Sequence, residues 1–446
     1  MRKILVVLVL AGLLQLGALA QGVRVVGAGS LQEISGTDTM VTVVLKDRGA
    51  KDTNLRITGV FDDHFNVKSE DGDEHPYPNN LVAEVRVQGD KVNRDRFELS
   101  ENRALRAEDQ QVVDRALARV QELYASSDNN QELKMEAAAL LSLDDNAGPD
   151  EPQQYLSNLA KSNDLQTQLE ASRCLYLAGK EVDTAVIRQG LDSGSRRVRG
   201  LAIELAGLTN YEAGLASLNM ALQDRATELS VPAARALARM GNREIIPGLL
   251  NMLVEGSEEK GKAAMDALVE LGGEDVIEQM KLLLPKAKLT GRHRVIQVLY
   301  RLGDEEGKKL LQQTVSEAPT LAFEAAVELA SNGDFQSMQF LHERMKRRED
   351  PTEPNMLNRA RAAAALIEGN DPNAIAVFQE LLRGDNEKVK RHVCRLIVQL
   401  NDRRLIDILQ PTIENVDAGV GLAAAKAAIA FSDMEFRKRL MHLWLM

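Results

Sequence analysis

From about Glu170 onward the chain repeats one pattern of apolar and polar positions. The segment Gln168–Gly179 (QLEASRCLYLAG) returns in variant form at Val198–Leu208, Pro232–Gly241, Gly261–Gly272, Arg292–Gly303 and Leu321–Gly333. Each places Ala, Leu, Ile or Val at i, i+3, i+4 and i+7, the stripe of an amphipathic helix. A Gly or Asn then follows where a left-handed C-cap belongs. Those closing residues, Gly179, Asn210, Gly241, Gly272 and Gly303, stand 31 residues apart. The series passes through Gly333 and Gly369 and resumes its 31-residue step from Asn401 to Ser432. A fixed period of this length, with one helical hairpin per period, predicts an α-solenoid. A single hairpin cannot bury its apolar face, so only stacking gives a continuous core.

Shorter helices alternate with the Gly-closed ones. The pattern predicts them over Tyr155–Lys161, Asp183–Leu191, Glu212–Leu222, Ile245–Val254, Val276–Leu284, Glu306–Val315, Phe335–Arg347, Ala374–Leu382 and Arg404–Ile413. Pro247 falls in a first turn, where its missing N–H costs little. Pro232 lies inside a longer periodic run and marks a helix start or a kink. Asp350–Asn355 (DPTEPN) lengthens one turn, which accounts for the 36-residue step from Gly333 to Gly369. Upstream, Glu108–Ala125 carries Val112, Val113, Ala116, Leu117, Val120 and Leu123 on one stripe. With Glu132–Leu143 it reads as an atypical terminal repeat that caps the array. Gly148–Pro152 reads as a linker, and Met434–Met446, with the only Trp at position 444, as a closing helix.

Residues 21–99 have another texture. Val23–Val26, Met40–Leu45, Leu55–Phe61, Phe65–Lys68 and Leu81–Val87 are short alternating or β-branched runs, separated by polar turns that include Glu70–Glu74 and Pro76–Asn80. They predict four or five antiparallel strands in a small all-β, barrel-like domain. The expected organisation is therefore a leader over residues 1–20, a β-domain over 21–99, a helical capping repeat and linker over 100–152, and the repeat solenoid over 153–446. The fold class is mainly α.

Met1–Ala20 has the form of a signal peptide. Arg2 and Lys3 precede the apolar run Ile4–Leu14, and Ala18-Leu19-Ala20 supplies small residues for cleavage before Gln21. A retained anchor is the other reading, because Ile4–Ala20 approaches the roughly 20 residues a spanning helix needs. The small-residue exit favours cleavage, and the expectation is an exported chain, periplasmic or extracellular, with no membrane insertion afterwards. Loss of Arg2 and Lys3 leaves 53 basic against 66 acidic residues, a net charge of −13. Nucleic acid and anionic membranes call for the opposite sign. Cys174 and Cys394 lie on apolar helix faces about seven repeats apart, too far for the roughly 7 Å Cα limit of a disulfide. They read as buried thiols.

The Ala-rich helices (AARALARMG, KAAMDALVELGG, RAAAALIEG), the period and the Gly-bounded ends resemble bacterial HEAT-like repeats of the lyase type, over about three hundred residues. The resemblance implies an α–α superhelix that binds proteins. Such repeats often pair a turn Asp with an Arg six residues later, and Asp385 and Arg391 fit that spacing. In the first domain, VTVVLKD and NLRITGVFDDHFNVKSEDG have the rhythm of an Sm-like or SH3-like barrel. There Gly59, Asp63 and Asn66 match the Gly, the acidic residue and the Asn-bearing turn of an Sm-like strand pair.

Candidate chemistry is thin. His64, His75, His293, His342, His392 and His442 show no metal-ligand spacing, and no nucleophile elbow, phosphate loop or dinucleotide fingerprint occurs. Asp71-Gly72-Asp73 carries part of a calcium-loop pattern, but a solvated hairpin turn is the favoured reading, because Asp-Gly is also the strongest hairpin signal. The expectation is no catalytic residue, no cofactor and no metal. A basic row recurs with the repeat: Arg196, Arg197 and Arg199 open one helix, and Arg292, His293 and Arg294 open another three periods later. Lys260 and Lys262 lie between, and Arg359, Arg361, Lys388, Lys390 and Arg391 follow. Residues at one phase of a solenoid share a ridge. Arg197, Arg199, Arg292, Arg294, Arg361 and Arg391 are therefore the candidate contact for an acidic segment of a protein partner. The alternative is solvated helix ends paired to local acids such as Asp192, Glu258 and Asp385. The function expected is an exported, non-enzymatic scaffold. The alternatives are an envelope component that binds a surface polymer through the β-domain and, from the lyase-type resemblance, an enzyme.

Overall fold

The computed structural model describes residues 24–26, 40–45, 51–60, 64–69, 74–78, 82–87, 105, 107–143, 150–346, 352–369 and 371–445. The expected leader Met1–Ala20 lies outside them, as do Asp63 and the Asp71-Gly72-Asp73 turn. The chain divides into two compact units, Met1–Arg103 and Ala104–Met446.

Among the described residues the first unit holds one sheet of six strands: β1 Arg24–Val26, β2 Met40–Leu45, β3 Lys51–Val60, β4 His64–Lys68, β5 Glu74–Pro78 and β6 Val82–Val87. Their order is β1-β6-β2-β3-β4-β5, antiparallel except for the parallel β1–β6 pair. Period-two alternation puts Val41, Val43, Leu55, Ile57, Phe65, Val67 and Val85 in its core, and Arg56, Thr58 and Lys68 outside. Gly59 sits opposite Asn66 beside a register shift in the β3–β4 hairpin. β5 was expected as turn, because Pro76 and Pro78 read as breakers. Its place at a sheet edge lets both prolines do without a ladder donor.

Among its described residues the second unit consists of helices and the turns between them. It begins with α1 Ala107–Ser126, α2 Gln131–Leu141, α3 Asp150–Leu159, α4 Leu165–Leu177, α5 Thr184–Leu191, α6 Arg196–Leu208 and α7 Leu215–Leu222. Next come α8 Thr227–Arg239, α9 Ile246–Glu255, α10 Glu258–Leu271, α11 Glu274–Leu283, α12 Leu289–Arg301, α13 Glu305–Glu317 and α14 Ala322–Ser331. The last are α15 Phe335–Lys346, α16 Glu353–Glu368, α17 Ile375–Arg383, α18 Glu387–Leu400, α19 Gln410–Ile413, α20 Ala418–Ile429 and α21 Met434–Leu445. The expected α-solenoid of HEAT-like hairpins is present.

The caps explain why each helix stops. Gly179, Asn210, Gly241, Gly272, Gly303, Gly333 and Asn401 all have positive φ. At Gly179 the next amide, of Lys180, donates to Leu175 O, and the same closure recurs from Tyr211 to Ala206 and from Asn242 to Leu237. Gly369 keeps φ −67°, so its role is space: a Cβ there would lie 2.4 Å from Ala330 O. Pro232 is not the helix start, since α8 begins at Thr227 and carries it inside. Its missing N–H frees the Glu228 carbonyl, against which Gly200 of α6 packs so closely that a Cβ would come within 2.9 Å. The helix expected over Arg404–Ile413 is instead two 3₁₀ turns and the short α19, because Pro411 cannot continue a helix begun upstream. The presumed linker Gly148–Pro152 also gives way to structure: α3 starts at Asp150 and holds Pro152 in its first turn.

The even-numbered helices from α4 to α20 form the tighter, inner row, with buried alanines in most of them and buried Val and Ile in their place in α12 and α18. Separate caps at the two ends of the array were expected. Instead the array closes on itself, with α20 packed on α1 and α2. Arg119 of α1 donates to Asn415 O at 3.2 Å. Across the junction lies α21. Arg437 donates to Val398 O (2.9 Å) at the end of α18, and Arg439 to Leu177 O (2.9 Å) at the end of α4. Both satisfy carbonyls that a helix end leaves open. The closing role expected of Met434–Met446 is thus met by bridging two distant repeats. Cys174 and Cys394 are free and buried, and burial pushes both thiols up to about 12. The two helices that carry them are both touched by α21.

Candidate functional site

A ladder of charge lines the inner row. Arg173, Glu204, Arg235 and Asp266 stand 31 residues apart on α4, α6, α8 and α10, and Glu328 continues the phase on α14. After the lengthened repeat the phase returns with Arg395 on α18 and Lys426 on α20. Arg173 Nη1 lies 3.9 Å from Glu204 Oε1. Arg301, one turn past Gln297, donates 3.0 Å bonds to both Asp266 Oδ1 and Glu328 Oε2 and so joins three repeats. The ladder closes where the array does: Lys426 Nζ is 2.8 Å from Glu136 Oε2 of α2. Burial alone would raise the Glu136 carboxyl, but the Lys426 ammonium outweighs it and holds the group below the usual carboxylate range. Burial lowers the guanidinium pKa of Arg239, whose Nη1 is buried with no hydrogen-bond partner.

A second row runs at another phase. Lys262, His293 and Glu324 are 31 residues apart on α10, α12 and α14, and Arg361 and His392 resume the step on α16 and α18. Arg361 Nη1 donates to Glu324 Oε1 at 2.8 Å, and its guanidinium lies 5.6 Å from the Phe323 ring centre. Burial would raise the Glu324 carboxyl, and Arg361, with help from Lys262 and His293, holds it low instead. His293 is 5% exposed and neither ring nitrogen has a partner. His392 Nε2 is likewise buried and unbonded. Burial, then the cations Arg395, Arg361 and Lys262, lower its pKa to about 4.

Phe323 also lines a cavity of about 240 Å³. Phe323, Met345, Met356, Ala362, Leu381 and Val389 supply its apolar lining. Arg359 and Glu380 pair across it through two bonds of 3.1 and 2.8 Å, and the Arg344 guanidinium lies 5.5 Å from the Phe323 ring centre. It sits at the one repeat whose period is 36.

The basic row singled out in the sequence is dispersed in its contacts. Arg197 is 71% exposed and pairs with Glu170 at 3.4 Å. Arg199 donates to Ser193 O, Arg292 to Leu284 O, and Arg294 to Leu253 O and Gly256 O while lying over Gly261. Arg391 lies 3.7 Å from Glu387 and 3.9 Å from Asp417, and so links α18 to the next repeat without Asp385. Arg361 alone of the six belongs to the second inner row. The inner ladder escaped the reading because its charges alternate in sign and lie 31 residues apart, while attention fell on local runs of one sign. Counting charges at each phase of the period would have found it. Of the other histidines, His342 pairs with Asp371 at 2.8 Å and His442 Nδ1 lies 3.3 Å from the Tyr176 hydroxyl. Among the described residues no three His, Cys, Asp or Glu side chains form a metal-binding group, and no helix is long and apolar enough to cross a membrane.

The class this fold defines is the HEAT-like helical-repeat protein. No protein-family model and no curated protein matches the sequence. Solved structures similar to it include the complex of CpcE and CpcF of phycocyanin lyase from Nostoc sp. PCC7120, at 18% identity over 60% of this chain and 96% of that one, with a TM-score of 0.32. Human deoxyhypusine hydroxylase in complex with glycerol is similar at 16% identity, over 68% of this chain and 96% of that one, with a TM-score of 0.28. The karyopherin Kap121p bound to the extreme C-terminus of the protein phosphatase Cdc14p is similar at 13% identity, over 74% of this chain and 45% of that one, with a TM-score of 0.31.

Proposed function

We propose that this chain is an exported, non-enzymatic scaffold that binds a protein partner through its helical unit, with the Phe323 cavity as the anchor point. The cavity carries the reading. At about 240 Å³ it falls below the roughly 300–1,000 Å³ of small-molecule and cofactor sites, and it suits one apolar side chain of a partner. An apolar floor with an Arg-bearing rim is also the composition of a protein-binding hot spot. In this reading the exposed Arg197 and the half-buried Arg391 extend the contact to an acidic stretch of the partner. Arg199, Arg292 and Arg294 support helix ends through their carbonyl bonds.

The test is a crosslinking capture from the exported fraction, comparing the intact protein with Met356→Glu. A charge on the cavity floor removes the captured partner while the thermal midpoint holds. Equal capture by both proteins would take the cavity out of the reading, and capture by neither would remove the scaffold itself.

A further inference from the structure

We propose that Lys262, Arg361, His392 and Arg395 form an oxyanion site on the inner face of the array, built to take a carboxylate of an acidic polypeptide. Three observations converge there. The first is placement: Lys262, Arg361 and His392 occupy one phase of the repeat on α10, α16 and α18, and Arg395 lies three residues beyond His392. Their fields meet, since Lys262 and Arg361 act on both Glu324 and His392.

The second is an imbalance of charge. Arg361 is paired to Glu324. Lys262 and Arg395 are exposed, and neither makes a hydrogen bond or close ion pair among the described residues. Elsewhere on the inner row the cations Arg173, Arg301 and Lys426 each have an acid within 4 Å. Of Lys262, Arg361 and Arg395 only Arg361 has an acid within 4 Å among the described residues, on a chain whose net charge is negative.

The third is unmet hydrogen bonding. His392 Nε2 is buried with no partner, and His293, on the helix between Lys262 and Glu324, is 95% buried with both nitrogens unbonded. A buried imidazole must donate from one nitrogen, and leaving that donor unmade costs about 1–3 kcal/mol. A carboxylate answers both needs: it accepts from an imidazole N–H and from a guanidinium fork, and it neutralises the surplus charge. Arg361, stacked on Phe323, places this site next to the cavity.

The polypeptide as source of the carboxylate rests on the scaffold reading, whereas the site itself does not. The probe is therefore a fluorescein-labelled hexaglutamate peptide, followed by anisotropy with the full-length mature protein at about 50 mM and about 300 mM salt. Wild type binds it saturably and more weakly at the higher salt. Lys262→Met with Arg395→Met weakens binding about tenfold or more. Lys309→Met, an exposed cation on α13, leaves it unchanged. Both altered side chains are exposed, so the double variant keeps its thermal midpoint. Absence of saturable binding by wild type, or equal binding by the double variant, overturns the site. Displacement by inorganic phosphate at lower concentration than by citrate overturns its assignment to carboxylates. Partner capture that is lost in Met356→Glu while hexaglutamate binding persists separates failure of the cavity from failure of this site.

Discussion

One apolar core of the helical unit draws on residues 169–329 alone, each repeat against the next. The other joins residues 112–178 to residues 326–440. Both use the same materials, Ala, Leu, Ile and Val on one helical stripe, so side-chain chemistry does not separate them. What differs is the loop each must close. Bringing together helices about 300 residues apart, rather than about 31, costs about 2 kcal/mol more in chain entropy. The closure arc also holds what the regular arc lacks: a carbonyl-capping terminal helix, an intersubset ion pair at Lys426 and Glu136, and the lengthened repeat with its cavity. A helical array can therefore rest on local stacking in one half and on a single long-range junction in the other.

The strongest way to break that contrast is to delete residues 418–446. This removes α20 and α21 from the buried face of α1, formed by Val112, Val113, Ala116, Val120 and Leu123. Hydrogen exchange should then lose all protection over 107–178 and keep it over 196–301. Uniform loss across the unit would mean one cooperative core instead of two.

Next in size is Lys426→Met, which strands the Glu136 carboxylate. Removing one partner of a buried pair costs about 3–5 kcal/mol, and the partial exposure of Glu136 puts this case near 3. Denaturant unfolding of Lys426→Met/Glu136→Met should recover most of that loss. A double variant no more stable than the single one would show that the pair is not what holds the junction.

Within the regular arc, Gly207→Ala places a Cβ 2.5 Å from Ala236 Cβ and forces α6 away from α8. Overpacking of this kind costs about 1–3 kcal/mol. Because Ala236 Cα would lie only 2.6 Å away as well, the companion change Ala236→Gly should recover little of the loss, which the midpoints of the two variants and their combination would check.

The smallest effect is a pH dependence that divides the two arcs. His392, in the closure core, has a folded pKa of about 4 against about 6.5 unfolded, so the unfolded chain binds more protons between those values. Stability is full above pH 6.5 and falls as pH drops toward 4. His293, in the regular arc, is lowered in the same direction. The depressed carboxyls of Glu136 and Glu324 contribute only below about pH 4.5, where they begin to protonate. Thermal midpoints at pH 7 and pH 5 should show a decline that His392→Gln and His293→Gln each reduce. An unchanged decline in both variants would assign it to other groups.

The regular arc was legible in the sequence because its causes are local. A Gly or Asn at a fixed step records a left-handed cap, and six of the expected closing positions from Gly179 to Gly333 have it. Asp350–Asn355 gave the lengthened repeat. The junction left no comparable mark, because closure depends on small rotations summed over the repeats and on no particular residue. Pro232 left a start and a kink open, and the start is the reading overturned, because α8 carries the proline inside it beside Gly200, 32 positions away. In the β-unit the alternation located the core, but the prolines of β5 disguised a strand whose edge position only the pairing order reveals. Of the inner site, Lys262, His293 and Arg361 were all noticed as members of basic runs. Their common phase with His392 was not, since sequence neighbours draw attention more readily than residues one period apart.

The junction also bears on how the protein is made. Val112 of α1 leaves the ribosome about 300 residues before α20, which covers it. At roughly 5–20 residues per second, translation alone leaves that apolar stripe without its partner for about 15–60 s. The middle repeats can stack as each one emerges, whereas the first hairpin has to wait for the last. Any cellular chaperone acting on this chain therefore has a defined client, the α1 face, and a defined moment of release, the arrival of α20 and α21.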